Sequence, residues 1–322
     1  MSKKDPKSIS VLAIDGGGIL GLYSANILKH IQKDLWGGAP FSEYFDLVTG
    51  TSTGGIIALG LASGHTAEEI VDFYQKYGGE IFPHSPWILN KIRTLVSNKY
   101  SNEKLASCLD AFFDGEKVSG CAMKFCVPAI DVTEGKAIVF KTNNNGAQKR
   151  DEGYLLRDIA LATSAAPTYL PLHSLDDSFS MLADGGLWQN NPSLIGLIEA
   201  NASMQANAVN VLSIGNPLSN IKECVANKKM KNGLMTWGTK LVTMPMKVAS
   251  IATNEIMEIL HRTQSMNLHK YLRVAHSDLA DENKDLSLDN ASPSALKRLI
   301  ALSDKDYQKS KPNLLNFFKE EK

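Results

Sequence analysis

ISVLAIDGGGILG, residues 9–21, decides the fold. Residues 9–14 form a short apolar run rich in β-branched side chains, and Asp15 with three glycines ends it at once. Glycine stops the run too early for a helix, so residues 9–14 are predicted to be a buried strand. The turn that follows, Gly16, Gly17 and Gly18, can aim several backbone N–H groups at one point. A second apolar stretch, residues 45–48, runs into GTSTGG, residues 50–55. This has the form G-x-S-x-G centred on Ser52, the pattern that sets a serine on a sharp strand-to-helix turn with its oxygen exposed. Gly50 and Gly54 remove side chains where strand and helix nearly touch, and a small-residue apolar helix is predicted over residues 53–63.

Further out, residues 21–35 carry apolar side chains at helical spacing, and Thr66 with Glu69 forms a capping box that starts another helix. Helices are predicted over residues 101–113 and 155–164 and after Pro192. Residues 124–130 and 136–141 alternate around a turn and read as paired strands, with further strands at 179–183 and 209–214. Strands alternating with helices predict an α/β sheet covered on both faces. Residues 1–8 are expected to be disordered, residues 9–275 to form one domain, and residues 276–322 to form a C-terminal helical appendage, with a helix at 294–303, that is not a separate domain.

Bulk properties narrow the function. A chain of 322 residues, 43% hydrophobic, can bury a large core. Lys plus Arg equals Asp plus Glu at 34 each, so no global field recruits a nucleic acid polymer. Four cysteines without metal-ligand spacing read as reduced packing thiols, and no metal is expected. The polar N-terminus lacks an apolar signal core, and no run approaches the roughly 20 apolar residues of a membrane span. A cytoplasmic protein is expected.

Ser52 is the candidate nucleophile, and a serine hydroxyl needs a base and an oxyanion site. The amides of Gly17 and Gly18, with that of Thr53 after the nucleophile, are candidate oxyanion donors, each worth roughly 3 kcal/mol of barrier. Gly16, Gly18 and Gly21 also satisfy G-x-G-x-x-G, so a dinucleotide-binding oxidoreductase is a rival reading. Asp15 is a poor neighbour for a pyrophosphate, and Asp34 falls at a helix end instead of at the end of a second strand. Asp184, in MLADGGLWQNNP just past a strand and followed by Gly185 and Gly186, is the candidate base; the plainer reading is a turn aspartate. No motif places any of the seven histidines beside Ser52, which favours a Ser-Asp dyad. With a solution pKa near ~3.9 an aspartate is a feeble base, so the site must raise that value or transfer the proton late.

DGGGILG, GTSTGG, ATSAAPTYLP (residues 162–171) and DGGLWQNNP occur in an order that resembles the patatin-like phospholipase family. The likeness covers roughly residues 9–215. It implies a three-layer sandwich with a mostly parallel central sheet. It also implies a Ser52–Asp184 dyad, an oxyanion hole at Gly16, Gly17 and Gly18, and hydrolysis of acyl esters in membrane phospholipids or galactolipids, without a cofactor. Transfer of the acyl group to another acceptor, or lipid binding without catalysis, are the alternatives on the same fold. Leu20 stands where the family often has Arg or Lys, which removes a cation from near the site. Short bacterial proteins of this shape resemble effectors of anti-phage signalling that a cyclic dinucleotide switches on, so such an activator is a hypothesis here.

Two stretches are candidates for transient membrane-surface contact or a lid. Residues 81–100 mix Trp87, Ile88 and Leu89 with Lys91, Arg93 and Lys99. Residues 221–250 are Met-rich, with six lysines against one glutamate. The plainer reading of each is an amphipathic helix covering the sheet.

Overall fold

The structure is a computed structural model that describes residues 8–83, 98–144, 146, 149–175, 180–217, 240–276 and 286–319. The first apolar run is strand β1 (Ser8–Ile14), at the heart of a seven-stranded sheet. Its neighbours are β2 (Leu47–Gly50) and β6 (Ala208–Ile214), both parallel to it. Ile14 lies opposite Gly50 on one side and Ile214 on the other, so all three strands end at one level. The DGGG and GTST turns therefore emerge side by side, at the carboxyl ends of parallel strands where such sheets bind ligands.

The sheet continues through β3 (Lys124–Asp131), parallel to β2, to the antiparallel β4 (Lys136–Lys141). Strand β5 (Leu182–Asp184) pairs antiparallel with the second half of β3, setting Asp184 opposite Ala129. The opposite edge is β7 (Leu268–Val274), parallel to β6. The antiparallel strand pair matches expectation. The strand expected at 45–48 is displaced toward Gly50, because Phe45 and Asp46 close a turn, with Phe45 N–H bonded to the Phe41 carbonyl. The strand expected at 179–183 is shorter, and residue 179 lies outside the described residues.

Helices cover both faces. On one lie α1 (Gly21–His30), α2 (Thr53–Ser63), α3 (Ala67–Ile81), α4 (Asn102–Phe113) and α5 (Leu156–Thr163). A short α6 (Gly186–Gln189) follows β5, and α7 (Ser193–Ala202) and α8 (Lys240–Arg262) cover the other face. Strand β1 feeds both cores: Leu12 and Ile14 enter one, Ile9, Val11 and Ala13 the other. A strand buried on both faces has no polar side to show, hence its uninterrupted apolar run. The Thr66–Glu69 capping box forms at the start of α3 as read. The helix expected over 21–35 is α1 followed by a wider π-type turn, Ile31–Leu35.

The C-terminal helix α9 (Pro293–Phe317) is far longer than the segment expected at 294–303. Leu299, Tyr307 and Leu314 on one of its faces are fully buried in the same core as α1. Tyr23 donates to Asp306 at 2.8 Å, Asn26 to Ser303 at 2.8 Å, and His30 stacks on Tyr307 with ring centroids 4.7 Å apart. Of the two basic, apolar stretches, 84–97 and 221–239 lie outside the described residues, as do residues 1–7. Residues 240–250 form the first half of α8. No helix among the described residues is long and apolar enough to cross a membrane.

Leu299→Ala leaves a cavity under α9 and is expected to cost about 2–5 kcal/mol in urea unfolding. A loss below about 0.5 kcal/mol would mean that α9 rests on the domain without sharing its core.

Candidate active site

Ser52 sits between β2 and α2 with φ 54° and ψ −124°, a conformation that a non-glycine residue adopts only under strain of roughly 1–3 kcal/mol. The surroundings hold it there. Ser52 N–H donates to Thr163 Oγ1 at 3.0 Å, and Thr163 Oγ1 donates to the Pro128 carbonyl at 2.7 Å. Thr51 Oγ1 donates to the Gln189 carbonyl at 2.7 Å. A Cβ on Gly54 would lie 2.2 Å from the Ile14 carbonyl oxygen, so only glycine lets α2 start this close to β1.

Asp184 ends β5, and its side chain reaches Ser52. Ser52 Oγ donates to Asp184 Oδ2 at 2.7 Å, and the Gly186 N–H donates to Oδ1, also at 2.7 Å. The carboxylate is 1% exposed, and among the described residues no cation pairs with it. Burial pushes its pKa up to about 6, against the opposing pull of the Ser52 and Gly186 hydrogen bonds. Ser52 and Asp184, 132 positions apart, are thus brought into direct contact.

The glycine turn lies against this pair: a Cβ on Gly16 would sit 3.2 Å from Ser52 Cβ. Gly16 itself does not fit the expected oxyanion role. Its N–H is already bonded to the Asn190 carbonyl at 3.0 Å. The amides of Gly17 and Gly18, and that of Thr53 at the first position of α2, meet no acceptor among the described residues. Gly18 takes φ +56°, and a side chain there would strike the Leu288 carbonyl at 2.1 Å. Above the pair opens a narrow, mostly apolar pocket of about 60 Å³, lined by Ile56, Tyr74, Tyr169, Val242 and Met246 among others, and by no histidine. That volume holds on the order of four or five waters.

A carboxylate hydrogen-bonded to a strained serine, beside amides without acceptors and under an apolar pocket, is a fit arrangement for acyl chemistry. Comparison with known proteins agrees. The family model for patatin-like phospholipase matches residues 12–196. The chain belongs to the patatin-like phospholipase family. It is similar to a cGAMP-activated phospholipase of Escherichia coli (strain TW11681), 32% identical over 317 residues, which covers 94% of this chain and 89% of the relative. It is also similar to a cGAMP-activated phospholipase of Vibrio cholerae serotype O1, 32% identical over 337 residues, covering 97% and 94%. Among solved structures, the human GIVD cytosolic phospholipase A2 superposes with a TM-score of 0.50 at 12% identity, over 97% of this chain and 60% of that one, a likeness of fold.

Within this patatin-like site several supporting residues escaped sequence reasoning. Thr163 lies in the ATSAAP stretch, whose recurrence was legible but whose task was not: its hydroxyl ties Ser52 to β3. Tyr74 hydrogen-bonds the Thr53 hydroxyl and donates to the Thr53 carbonyl at 3.1 Å, pinning the first turn of α2. Asn190 donates its side chain to the Gly16 carbonyl at 3.2 Å. Leu20 is buried, so its position brings no charge to the pocket.

The raised pKa fixes a sign. The native state binds the Asp184 proton more tightly than the unfolded chain does, so this group's contribution to stability falls as pH rises from about 4 through about 6. Asp184→Asn removes the buried charge. It is expected to stabilise the protein at pH 8 by up to about 3 kcal/mol in urea unfolding, with the gain vanishing near pH 4. A gain that is independent of pH would show that the carboxylate is not held against its charged form.

Proposed function

We propose that this protein is a lipid acyl hydrolase acting on membrane phospholipids through Ser52 and Asp184. The observation that carries this is the 2.7 Å hydrogen bond from Ser52 to the buried Asp184 carboxylate, beside the Gly17, Gly18 and Thr53 amides. Ser52 Oγ attacks the ester carbonyl while its proton passes to Asp184 Oδ2. Charge developing on the carbonyl oxygen meets the amides, which cost no reorganisation because the glycine turn already holds them. The intermediate collapses, the lysolipid oxygen leaves with the proton from Asp184, and the acyl group stays on Ser52. Water then attacks the acyl-enzyme, Asp184 takes its proton, and the fatty acid departs as the proton returns to Ser52. A carboxylate with a pKa of about 6 is mostly ionised at pH 7 yet more basic than one in water.

The apolar pocket selects the acyl chain, and at about 60 Å³ it must widen to take a long one. Helix α8 supplies part of its wall and offers a route to the bilayer. Val242 and Met246 face the pocket, while Leu241, Val248, Ile251, Ile256 and Ile259 stand exposed on the other side of the helix. An apolar helix face beside the pocket mouth suits peripheral binding at a membrane surface, which delivers the substrate without a spanning segment. Activation by cGAMP, which the names of the Escherichia coli and Vibrio cholerae relatives carry, extends this reading: the protein waits in the cytoplasm and attacks membranes when the cyclic dinucleotide arrives.

Liposomes of phosphatidylethanolamine and phosphatidylglycerol, with lipid products read by mass spectrometry, test the proposal. Free fatty acid and lysolipid should accumulate with wild type plus cGAMP, at least about tenfold faster than without it, and fall by about a thousandfold or more in Ser52→Ala. Hydrolysis surviving in Ser52→Ala would overturn the assignment, and equal rates with and without cGAMP would remove the activator.

Val248→Glu and Ile251→Glu place charge on the exposed face of α8, at positions 52% and 49% exposed. Each is expected to slow vesicle hydrolysis at least about tenfold and to leave a water-soluble short-chain ester unaffected. Equal loss on both substrates would locate the effect in the pocket instead of at the membrane.

A further inference from the structure

Asp15, the residue that ends β1 and opens the glycine turn, is fully buried. Both of its oxygens are held. Arg273 of β7 donates from Nη1 to Oδ1 at 3.1 Å and from Nη2 to Oδ2 at 2.6 Å, a bidentate pair. Ser250 of α8 donates to Oδ2 as well. Arg273 is fixed in turn, since Nη1 also donates to Ser213 Oγ at 2.6 Å. Space has been left for the guanidinium: a Cβ on Gly215 would lie 2.7 Å from Nη2. The Asp15 main chain is tied too, its N–H to the Ile214 carbonyl at 2.9 Å and its carbonyl to Asn216 Nδ2 at 2.9 Å. Five separate segments therefore converge on the residue two positions before Gly17.

Two physical demands explain such a construction. The first is geometric. Oxyanion donors work only within about 0.5 Å and 10–20° of the productive orientation, and a turn of three glycines has no side chains with which to hold itself. Its orientation must be imposed from the residue before it. The second is electrostatic. An unpaired carboxylate at the root of the turn would oppose negative charge developing at the tip, and the guanidinium cancels it. The hydrolase reading supplies the reason for both demands, and this inference rests on it.

We propose that Arg273 and Ser250 are positioning residues for the oxyanion site, acting through Asp15 to hold the Gly17 and Gly18 amides toward the reacting carbonyl. Ser250 stands on the helix whose Val242 and Met246 wall the acyl pocket. Displacing α8 would therefore change the pocket and loosen the oxyanion turn together.

The test uses the full chain and a soluble chromogenic short-chain ester, with Ser52→Ala as the baseline and unfolding midpoints measured for every variant. Arg273→Lys keeps the charge and loses the fork; it is expected to lower kcat about 10- to 100-fold with KM within about threefold of wild type. Ser250→Ala removes one hydroxyl and should lower kcat about tenfold. In the Arg273→Met background, where the Asp15 charge is left bare, adding Asp15→Asn should restore part of kcat, which a merely structural bridge would not do. Unchanged kcat in folded Arg273→Lys and Ser250→Ala, or an effect confined to KM, overturns the inference. If Arg273→Lys does not fold, Ser250→Ala decides alone. A wild type without Ser52-dependent hydrolysis overturns the hydrolase reading and this inference with it, whereas hydrolysis that both variants keep overturns this inference only.

Discussion

A carboxylate shut away from water with a serine hydroxyl and one backbone amide as its partners is the constraint on which the site depends. Removing Asp184 from solvent costs free energy, and the cost appears as its pKa of about 6. Ser52 repays little of it, since a neutral hydroxyl stabilises a carboxylate far less than a cation would. The arrangement persists because the scaffold over-determines it. The β5–β3 pairing sets Asp184 opposite Ala129, Thr163 ties the serine turn to β3, and the Ile14 carbonyl leaves room for nothing larger than glycine at position 54. In the proposed mechanism this discomfort is useful. A desolvated carboxylate is the better base, and histidine is not needed to take the serine proton.

Punctuation explains what was legible in the sequence. Strand β1 and the turns after β1 and β2 announce themselves because glycine and aspartate end apolar runs abruptly, and the helix after Ser52 follows from small residues in a G-x-S-x-G frame. The pairing of Ser52 with Asp184 came only from the order of motifs, since their contact depends on the register of β5 on β3 across the fold. Gly16 shows the limit most clearly. In sequence the three glycine amides are equivalent, and only the arrival of the Asn190 carbonyl, 174 positions away, takes one of them out of play. The length of α9 was hidden in the same way. Ser303, Tyr307 and Leu314 share a buried face, yet they lie in a polar, lysine-rich stretch broken by Pro312.

Helix α8 joins the parts of this account. One face lines the pocket, another stands exposed beside it, and Ser250 between them reaches the base of the oxyanion turn. Sequence pattern marked residues 221–250 as basic and Met-rich but could not distinguish a lid from a sheet-covering helix. In the structure the described portion covers the sheet and walls the site at once. An element with both attachments is well placed to transmit events at the surface to the chemistry, because the turn and the pocket cannot move independently of it.

The central claim is that Ser52 is made nucleophilic by the buried carboxylate beside it. The most direct measurement is the rate at which a lipid-like fluorophosphonate labels the wild-type protein as a function of pH, with the modified residue located by peptide mass spectrometry. The account predicts a single adduct on the peptide containing Ser52, forming at a rate that rises with pH through about 6 and then levels off. An adduct on another residue, or Ser52 labelling that does not change between pH 4 and pH 8, would contradict it.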